Sequence, residues 1–284
     1  MAHGEPLSPA LNPNRAGRRC TPASTLGVSD IDWQAPWLAD WRAVGEPIAQ
    51  RVVAGCPQPH ALNQVHAPVR FVPQADLPEG QAYEDFIFAH GQVPTREGLH
   101  DFFNALCWMH FPLTKTRLNQ LQASEIARAG VGQVRGPVRD AATVFDENAW
   151  LIQPSDALWS ALTEHRWSTA LVDLRAEWAH TRLWAFGHAA LEKAVQPYKS
   201  ITVHLWRVPL GLAAADLDAW LAQDLTPEKL ARKPFSPLPL LGVPGWWSAN
   251  QDPGFYADAS VFRPRRRPDT TEKPYANSEI WPPV

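Results

Sequence analysis

The sequence predicts a mainly helical α+β fold, a single domain with a small antiparallel sheet or hairpin. Apolar residues recur at helical spacing in several segments, whereas stretches with the character of a strand are few. The composition is 45% hydrophobic and 19% charged, which is typical of a globular chain. The 14 tryptophans predict either a bulky core or aromatic-lined grooves.

The first half of the chain favours helices. Trp37, Trp41 and Ile48 recur at helical spacing, after an aspartate that can cap a helix. The stretch "GLHDFFNALCWMHF" predicts a helix that ends near Phe111, because Pro112 restricts the residue before it. A second helix is expected to follow in "LTKTRLNQLQASEIARA".

The second half mixes strands and helices. The stretch "RDAATVFDENAWLIQ" is interpreted as strand, turn and strand, with Asp146 in the turn. Ser155 is expected to cap a helix, and Gly187 to form a corner before a helix that begins at His188. "KSITVHLWRVPL" predicts a strand, and Thr226 and Pro227 are expected to begin a short helix.

Three regions are predicted from composition. Residues 1–28 are rich in proline, alanine and arginine without periodicity, which predicts a disordered extension. Residues 29–262 are expected to form one globular domain. Residues 263–284 are expected to form a flexible tail rich in arginine and proline.

Charge, cysteine usage and hydropathy exclude several classes of protein. The net charge is −3 and the excess positive charge lies at the two ends, which argues against nucleic acid as a partner. Three scattered cysteines without a CxxC motif favour a reducing cytoplasm and exclude a zinc finger. No apolar run is long enough to predict a transmembrane segment.

His100, Asp101 and Asn104 form the first candidate site. They share one arc of the predicted helix with aromatic neighbours, where a solvated face usually carries glutamate, lysine and arginine. A histidine and a carboxylate can bind a metal or transfer a proton. The alternative is a helix start in which Asp101 merely stabilises the first turn.

His188 and Glu192 form the second candidate site, one helical turn apart. A histidine at a helix N-terminus has its charged form disfavoured, so it would stay neutral and able to act as a base or a ligand. The alternative is a hydrogen bond within the helix. The motif lacks the second histidine of H-E-x-x-H, so it does not predict that class of zinc protease.

Arg139 and Lys115 are candidate substrate-binding residues. Arg139 could bind an anion through its planar fork or pair internally with Asp101 or Glu192. Lysine is scarce in this chain, and Lys115 follows a proline break, where it could orient a substrate or lie in solvent.

Four long stretches together resemble a bacterial family called domain of unknown function 3025: "VPTREGLHDFFNALCWMHFPLTKTRLN", "RDAATVFDEN", "FGHAALEKAVQPYKSITVH" and "LPLLGVPGWW…FYADASVFRP". The resemblance covers about residues 30–264 and implies a single bacterial domain without implying a reaction. Its signature residues here are His100, Asp101, Asn104, Lys115, Asn119, Arg139, Asp140, Asp146, Gly187, His188, Glu192 and the turn 242–246.

We expect one cleft that collects both histidine-bearing helices. The sequence predicts His100, Asp101, His188 and Glu192 as catalytic residues, and also as ligands of a divalent metal, with Asn104, Lys115 and Arg139 as substrate-binding groups. This arrangement would suit a metal-dependent or acid–base hydrolase. The alternative is a non-enzymatic protein that binds a small molecule or peptide and uses the same groups as a buried structural network.

Overall fold

The computed structural model of the chain describes residues 26–130 and 136–265. The predicted extension 1–28 and tail 263–284 therefore lie almost wholly outside the described residues. Within those residues, no helix combines the length and the apolar character needed to cross a membrane.

A four-stranded mixed sheet forms the centre of the fold. Its strands are β3 (Ala149–Gln153), β4 (Arg182–Ala185), β5 (Thr202–Arg207) and β6 (Ser236–Pro239), arranged in the order β4-β3-β5-β6. The β3–β4 and β5–β6 pairs are antiparallel, but β3 and β5 are parallel. The sheet is therefore not purely antiparallel as predicted, because the long segment between β3 and β5 provides the crossover that parallel pairing requires.

A second, two-stranded sheet lies nearer the candidate site. Its strands β1 (Arg70–Pro73) and β2 (Gln92–Thr95) are parallel.

The helices make up most of the fold, as predicted. They are α1 (Arg42–Val53), α2 (Gln58–Leu62), α3 (Tyr83–His90), α4 (Leu99–His110), α5 (Pro112–Ala129), α6 (Pro137–Asn148), α7 (Asp156–Thr163), α8 (His188–Lys193), α9 (Leu217–Asp224) and α10 (Pro227–Ala231). The break between α4 and α5 falls at Phe111, as predicted from Pro112. The Ser155 hydroxyl caps α7, and the Thr226 hydroxyl caps α10.

One predicted segment is wrong. The stretch interpreted as strand, turn and strand is helix α6 followed directly by β3. Pro137 occupies the first turn of the helix, and Ala141, Ala142 and Phe145 form its buried stripe at helical spacing. Asp146 therefore lies on a helix face, and the run Asp-Glu-Asn that was interpreted as a turn is the last turn of α6.

The tryptophans mainly build the core. Trp150 and Trp206 lie on adjacent strands of the central sheet and are fully enclosed. Trp206 packs against Phe145, and Trp150 packs against Trp246. The buried tryptophans among the described residues are Trp33, Trp37, Trp41, Trp108, Trp150, Trp167, Trp178, Trp184 and Trp206. Burial of such large rings explains why a chain of this length needs no disulfide.

Close packing holds α8 between α4 and α6. The Cys107 thiol of α4 donates a hydrogen bond to the backbone oxygen of Phe186, at 2.9 Å. A Cβ atom on Gly187 would come within 2.5 Å of the backbone at Glu147 and Asn148, at the end of α6. The glycine thus permits a close approach that places His188 next to both helices.

Candidate functional site

Two histidines from distant parts of the chain meet at the start of their helices. His100 lies in the first turn of α4, and His188 is the first residue of α8. Their Nε2 atoms are 3.2 Å apart, and the planes of the two rings meet at 79°. The structure therefore brings together the two helices that the sequence placed at one cleft.

Glu192 fixes the orientation of His100. Its Oε2 atom lies 2.9 Å from Nδ1 of His100, one helical turn beyond His188. The predicted alternative was a hydrogen bond within α8, but the Glu192 carboxylate contacts the neighbouring helix instead. Both side chains of this pair are 40% exposed, so His100 is accessible from solvent.

Asp101 forms an ion pair with Arg96 and not with a histidine. Its carboxylate accepts hydrogen bonds from the Arg96 backbone at 2.6 Å and from the Arg96 guanidinium at 3.1 and 3.2 Å. Asp101 lines the same cavity as His100, but its carboxylate oxygens bond to Arg96, the residue that follows β2. It joins no hydrogen bond or ion pair with the histidines among the described residues.

A buried lysine lies behind the histidines. Lys115 is only 4% exposed, and its Nζ atom donates to Asp146 at 2.5 Å and to the Asn104 side chain at 2.8 Å. The Asn104 amide in turn donates to the Tyr83 hydroxyl at 3.0 Å. The solvent-exposed alternative for Lys115 is therefore wrong, and Asn104 and Lys115 belong to one polar network.

Arg139 lies at the far side of this network. It is buried, and its guanidinium is 3.9 Å from the Glu84 carboxylate. The alternative in which Arg139 pairs with Asp101 or Glu192 is wrong, because α6 directs Arg139 toward Glu84 on α3. Asn119 is directed to the same place and donates to the Glu84 backbone at 2.7 Å.

Several of these groups line a polar cavity of about 330 Å³, but Glu192, Lys115 and Arg139 lie outside its lining. The cavity lies between α3, α4, α5, α6 and α8, and its wall includes Tyr83, Arg96, His100, Asp101, Asn104, Gln122, Asp146, Glu147 and His188. We call this cavity the histidine cleft. A larger depression of about 610 Å³ lies near Trp159 and Phe235, but no carboxylate lines it.

Burial and charge set the protonation states in the histidine cleft. Burial lowers the pKa of His188 to about 4, with Lys115 and His100 adding to the effect and Asp146 opposing it. Burial would raise the pKa of Asp146, but the charge of Lys115 brings it below its ordinary value. His188 is therefore neutral and Asp146 ionised at neutral pH.

Burial, together with Asp101 and Asp146, raises the pKa of the Tyr83 hydroxyl. Tyr83 therefore keeps its proton at neutral pH. Its oxygen accepts from Asn104, and no acceptor for its own O–H occurs among residues 26–130 and 136–265, so that hydrogen can be donated into the cleft.

The Glu192 carboxylate favours one tautomer of His100. It accepts a hydrogen from Nδ1 of His100, so Nε2 of a neutral His100 carries a lone pair. That lone pair can accept a hydrogen from Nε2 of His188, whose Nδ1 lies 3.9 Å from a carboxylate oxygen of Asp146. The two hydrogen-bonded imidazoles can therefore take up one additional proton.

Some of the residues that line the histidine cleft were missed by sequence reasoning. Tyr83 and Gln122 lie on α3 and α5 in segments without a polar motif. Asp146 was assigned a structural turn because three turn-forming residues follow one another. The 3.6-residue spacing of Arg139, Ala142, Phe145 and Asp146 was the signal that could have placed it on the wall of a helix.

The fold and site define a single-domain α+β protein with a cleft of linked histidines and carboxylates. A family model described as "Protein of unknown function (DUF3025)" matches residues 69–266, and the chain belongs to that family, which confirms the resemblance. No curated protein and no solved structure matches the chain.

Proposed function

We propose that this chain is a hydrolase that uses acid–base chemistry in the histidine cleft. The observation that carries the proposal is the contact between His100 and His188, with Glu192 bonded to the outer nitrogen of His100. A carboxylate behind a histidine orients the ring and stabilises its charged form, which is how general bases are commonly supported.

The base in this proposal is the half-exposed His100. A water molecule in the cleft can compete with His188 for the Nε2 lone pair of His100 and lose a proton to it. Glu192, whose carboxylate lies 2.9 Å from Nδ1 of His100, balances the positive charge that His100 carries once it has taken the proton. The same proton can later pass to the leaving group.

Tyr83 supplies the complementary group. When the oxygen atom of water attacks a carbonyl or similar centre, negative charge develops on the substrate oxygen. Tyr83 lines the cleft and keeps its proton, so its O–H can donate to that oxygen when a substrate reaches it. Base and hydrogen-bond donor are thus present in one cavity.

The metal-assisted form is a second hypothesis. Two nitrogen ligands at neighbouring positions, each about 2.1 Å from a zinc ion, lie roughly 3 Å apart, which resembles the Nε2 separation seen here. However, Asp101 is held by Arg96, Glu192 contacts the opposite nitrogen of His100, and no cluster of three metal-binding side chains occurs within the described residues. We therefore favour the acid–base form.

The proposal is tested with chromogenic esters, amides and phosphoesters at neutral pH. We expect wild-type chain to hydrolyse at least one class, and His100→Gln to lose about 10²- to 10⁴-fold in rate, the contribution typical of a general base. The control is His60→Gln, which changes an exposed histidine of α2 and should leave the rate unchanged. Absence of turnover by wild type, or turnover that survives His100→Gln, contradicts the proposal.

A binding or scaffold role is the alternative, and it is favoured by Lys115. This lysine is fully paired within the protein, as expected of a buried network that fixes the packing of helices. If that alternative holds, the wild type shows no hydrolysis, and His100→Gln lowers the melting temperature. The acid–base proposal expects the opposite, a stable variant without activity.

We also infer a reducing, cytoplasmic location. Cys56 and Cys107 are both free thiols, and Cys107 uses its S–H as a hydrogen-bond donor inside the core.

A further inference from the structure

Charge in the histidine cleft is not balanced. Four carboxylates line the cavity, and three of them have a cationic partner: Asp101 pairs with Arg96, Asp146 with Lys115 and Glu84 with Arg139. The fourth is Glu147, at the end of α6, whose carboxylate has no hydrogen bond or ion pair among the described residues. Four carboxylates and three cationic partners therefore leave the charge of Glu147 unbalanced.

A second group in the cleft wall also lacks a partner. Gln122 on α5 is only 6% exposed and lines the cavity, yet its amide makes no hydrogen bond within the described part of the chain, and its Oε1 atom is fully enclosed. Leaving a buried polar group unsatisfied costs about 1–3 kcal/mol. Because Oε1 is enclosed by protein, the Nε2 hydrogens are the ones that a ligand in the cavity can accept, and such a ligand would give the amide a partner.

We propose that the histidine cleft binds a small molecule that carries a cationic nitrogen group, an ammonium or a guanidinium. Glu147 pairs with that group, and Gln122 provides a hydrogen-bonding contact deeper in the cavity. The inference rests on the proposed function, for which it names the substrate class: the hydrolysable group lies at His100 and the cationic group lies at Glu147.

The charge of the ligand follows from the surroundings of Glu147. An anionic ligand would meet the unpaired carboxylate and an excess of negative charge. Among the described residues that line the cavity, only Arg96 offers it a guanidinium, and Asp101 already occupies two of the donors. A neutral ligand would leave Glu147 without an ionic partner. A cationic ligand satisfies the carboxylate and reduces the negative charge around it.

The test is a binding measurement with four probes of matched length: n-butylammonium, n-butylguanidinium, n-butanol and n-butyrate. Calorimetric titration of the full chain at low salt should show the two cations binding at least tenfold more tightly than the alcohol or the carboxylate. Glu147→Gln should weaken cation binding about tenfold, equivalent to about 1.4 kcal/mol, without changing the melting temperature. Added salt should weaken cation binding to the wild type as well.

Glu46→Gln is the matched control, since it removes the same charge from α1, outside the cleft. Equal binding of the four probes to wild type, or a preference for cations that survives Glu147→Gln, overturns the inference. His100→Gln separates it from the proposed function: that variant should keep cation binding while losing hydrolysis. Hydrolysis without a preference for cations would contradict only the proposed class of ligand. A preference for cations without hydrolysis would contradict only the proposed reaction.

Discussion

At the scale of single residues, the histidine cleft depends on neighbours that control where protons reside. His188 is a neutral imidazole because it is buried beside a cationic lysine, although a carboxylate lies 3.9 Å from its Nδ1 atom. Sequence reasoning predicted the same neutral state from the helix N-terminus. The structure assigns it chiefly to burial, which no motif around His188 shows, because the enclosing groups come from α4, α5 and α6.

Because His188 is buried in a neutral form, the free energy of unfolding should decrease as the pH falls. Unfolded His188 takes up a proton near its ordinary pKa of 6.5, whereas folded His188 does so near pH 4. Between these values the unfolded chain binds the additional proton, so unfolding becomes more favourable as the pH falls. From pH 7 to pH 4.5, we expect wild type to lose about 2–3 kcal/mol more stability than His188→Gln.

Urea denaturation of both chains at several pH values measures the difference. His60→Gln is the control: it changes an exposed histidine and should keep the wild-type pH profile. Parallel profiles for wild type and His188→Gln would show that folding does not shift the pKa of His188.

At the scale of secondary-structure elements, α8 is the part that assembles the site. It begins directly with His188, places Glu192 one turn later, and lies against both α4 and α6 because Gly187 has no side chain. The sequence predicted α4, α8 and the glycine corner between β4 and α8 correctly. It could not show that the backbone of α6 fills the space at Gly187, because α6 itself was interpreted as a strand and a turn.

Gly187→Ala should therefore move α8. Its Cβ atom would lie 2.5 Å from backbone atoms at the end of α6, which cannot give way as a flexible side chain can. We expect a loss of about 1–3 kcal/mol in the free energy of unfolding, the usual range for overpacking. Nitrogen-detected NMR of the imidazoles should also show that the hydrogen bond between His100 and His188 is lost.

Gly136→Ala is the matched control. Gly136 also precedes a helix, but a Cβ atom there would meet only the end of the Glu125 side chain, at 3.6 Å. Stability should change little. If Gly187→Ala folds with wild-type stability and an intact imidazole contact, the close approach of α8 and α6 is not what positions His188.

At the scale of the whole molecule, the sequence predicted the fold class, which depends on local periodicity. It also predicted that two helices meet, and the signal for this was a histidine at the start of each helix. Pairings between distant side chains were harder to predict from the sequence. Asp101 pairs with Arg96, and Arg139 with Glu84, although other partners were equally compatible with the sequence. Such choices are decided by how the helices pack around the central sheet, and this packing is absent from any single segment.

The choice between the acid–base and metal-assisted forms is a property of the whole folded chain. An ion that binds only the folded state raises its stability, by about 2.7 kcal/mol at a concentration 100 times the Kd. In the structure Asp101 is held by Arg96, which leaves the two Nε2 atoms as the available metal ligands, whereas catalytic zinc sites usually have three protein ligands.

We therefore expect Zn²⁺, Mn²⁺ or Ni²⁺, added after chelator treatment, to shift the Tm of wild type no more than that of the double variant His100→Gln/His188→Gln. The double variant retains the exposed histidines, such as His60 and His66, so it accounts for ions bound at the surface. A rise in Tm that occurs only in wild type would instead show that the imidazoles hold a metal ion in place of the shared proton.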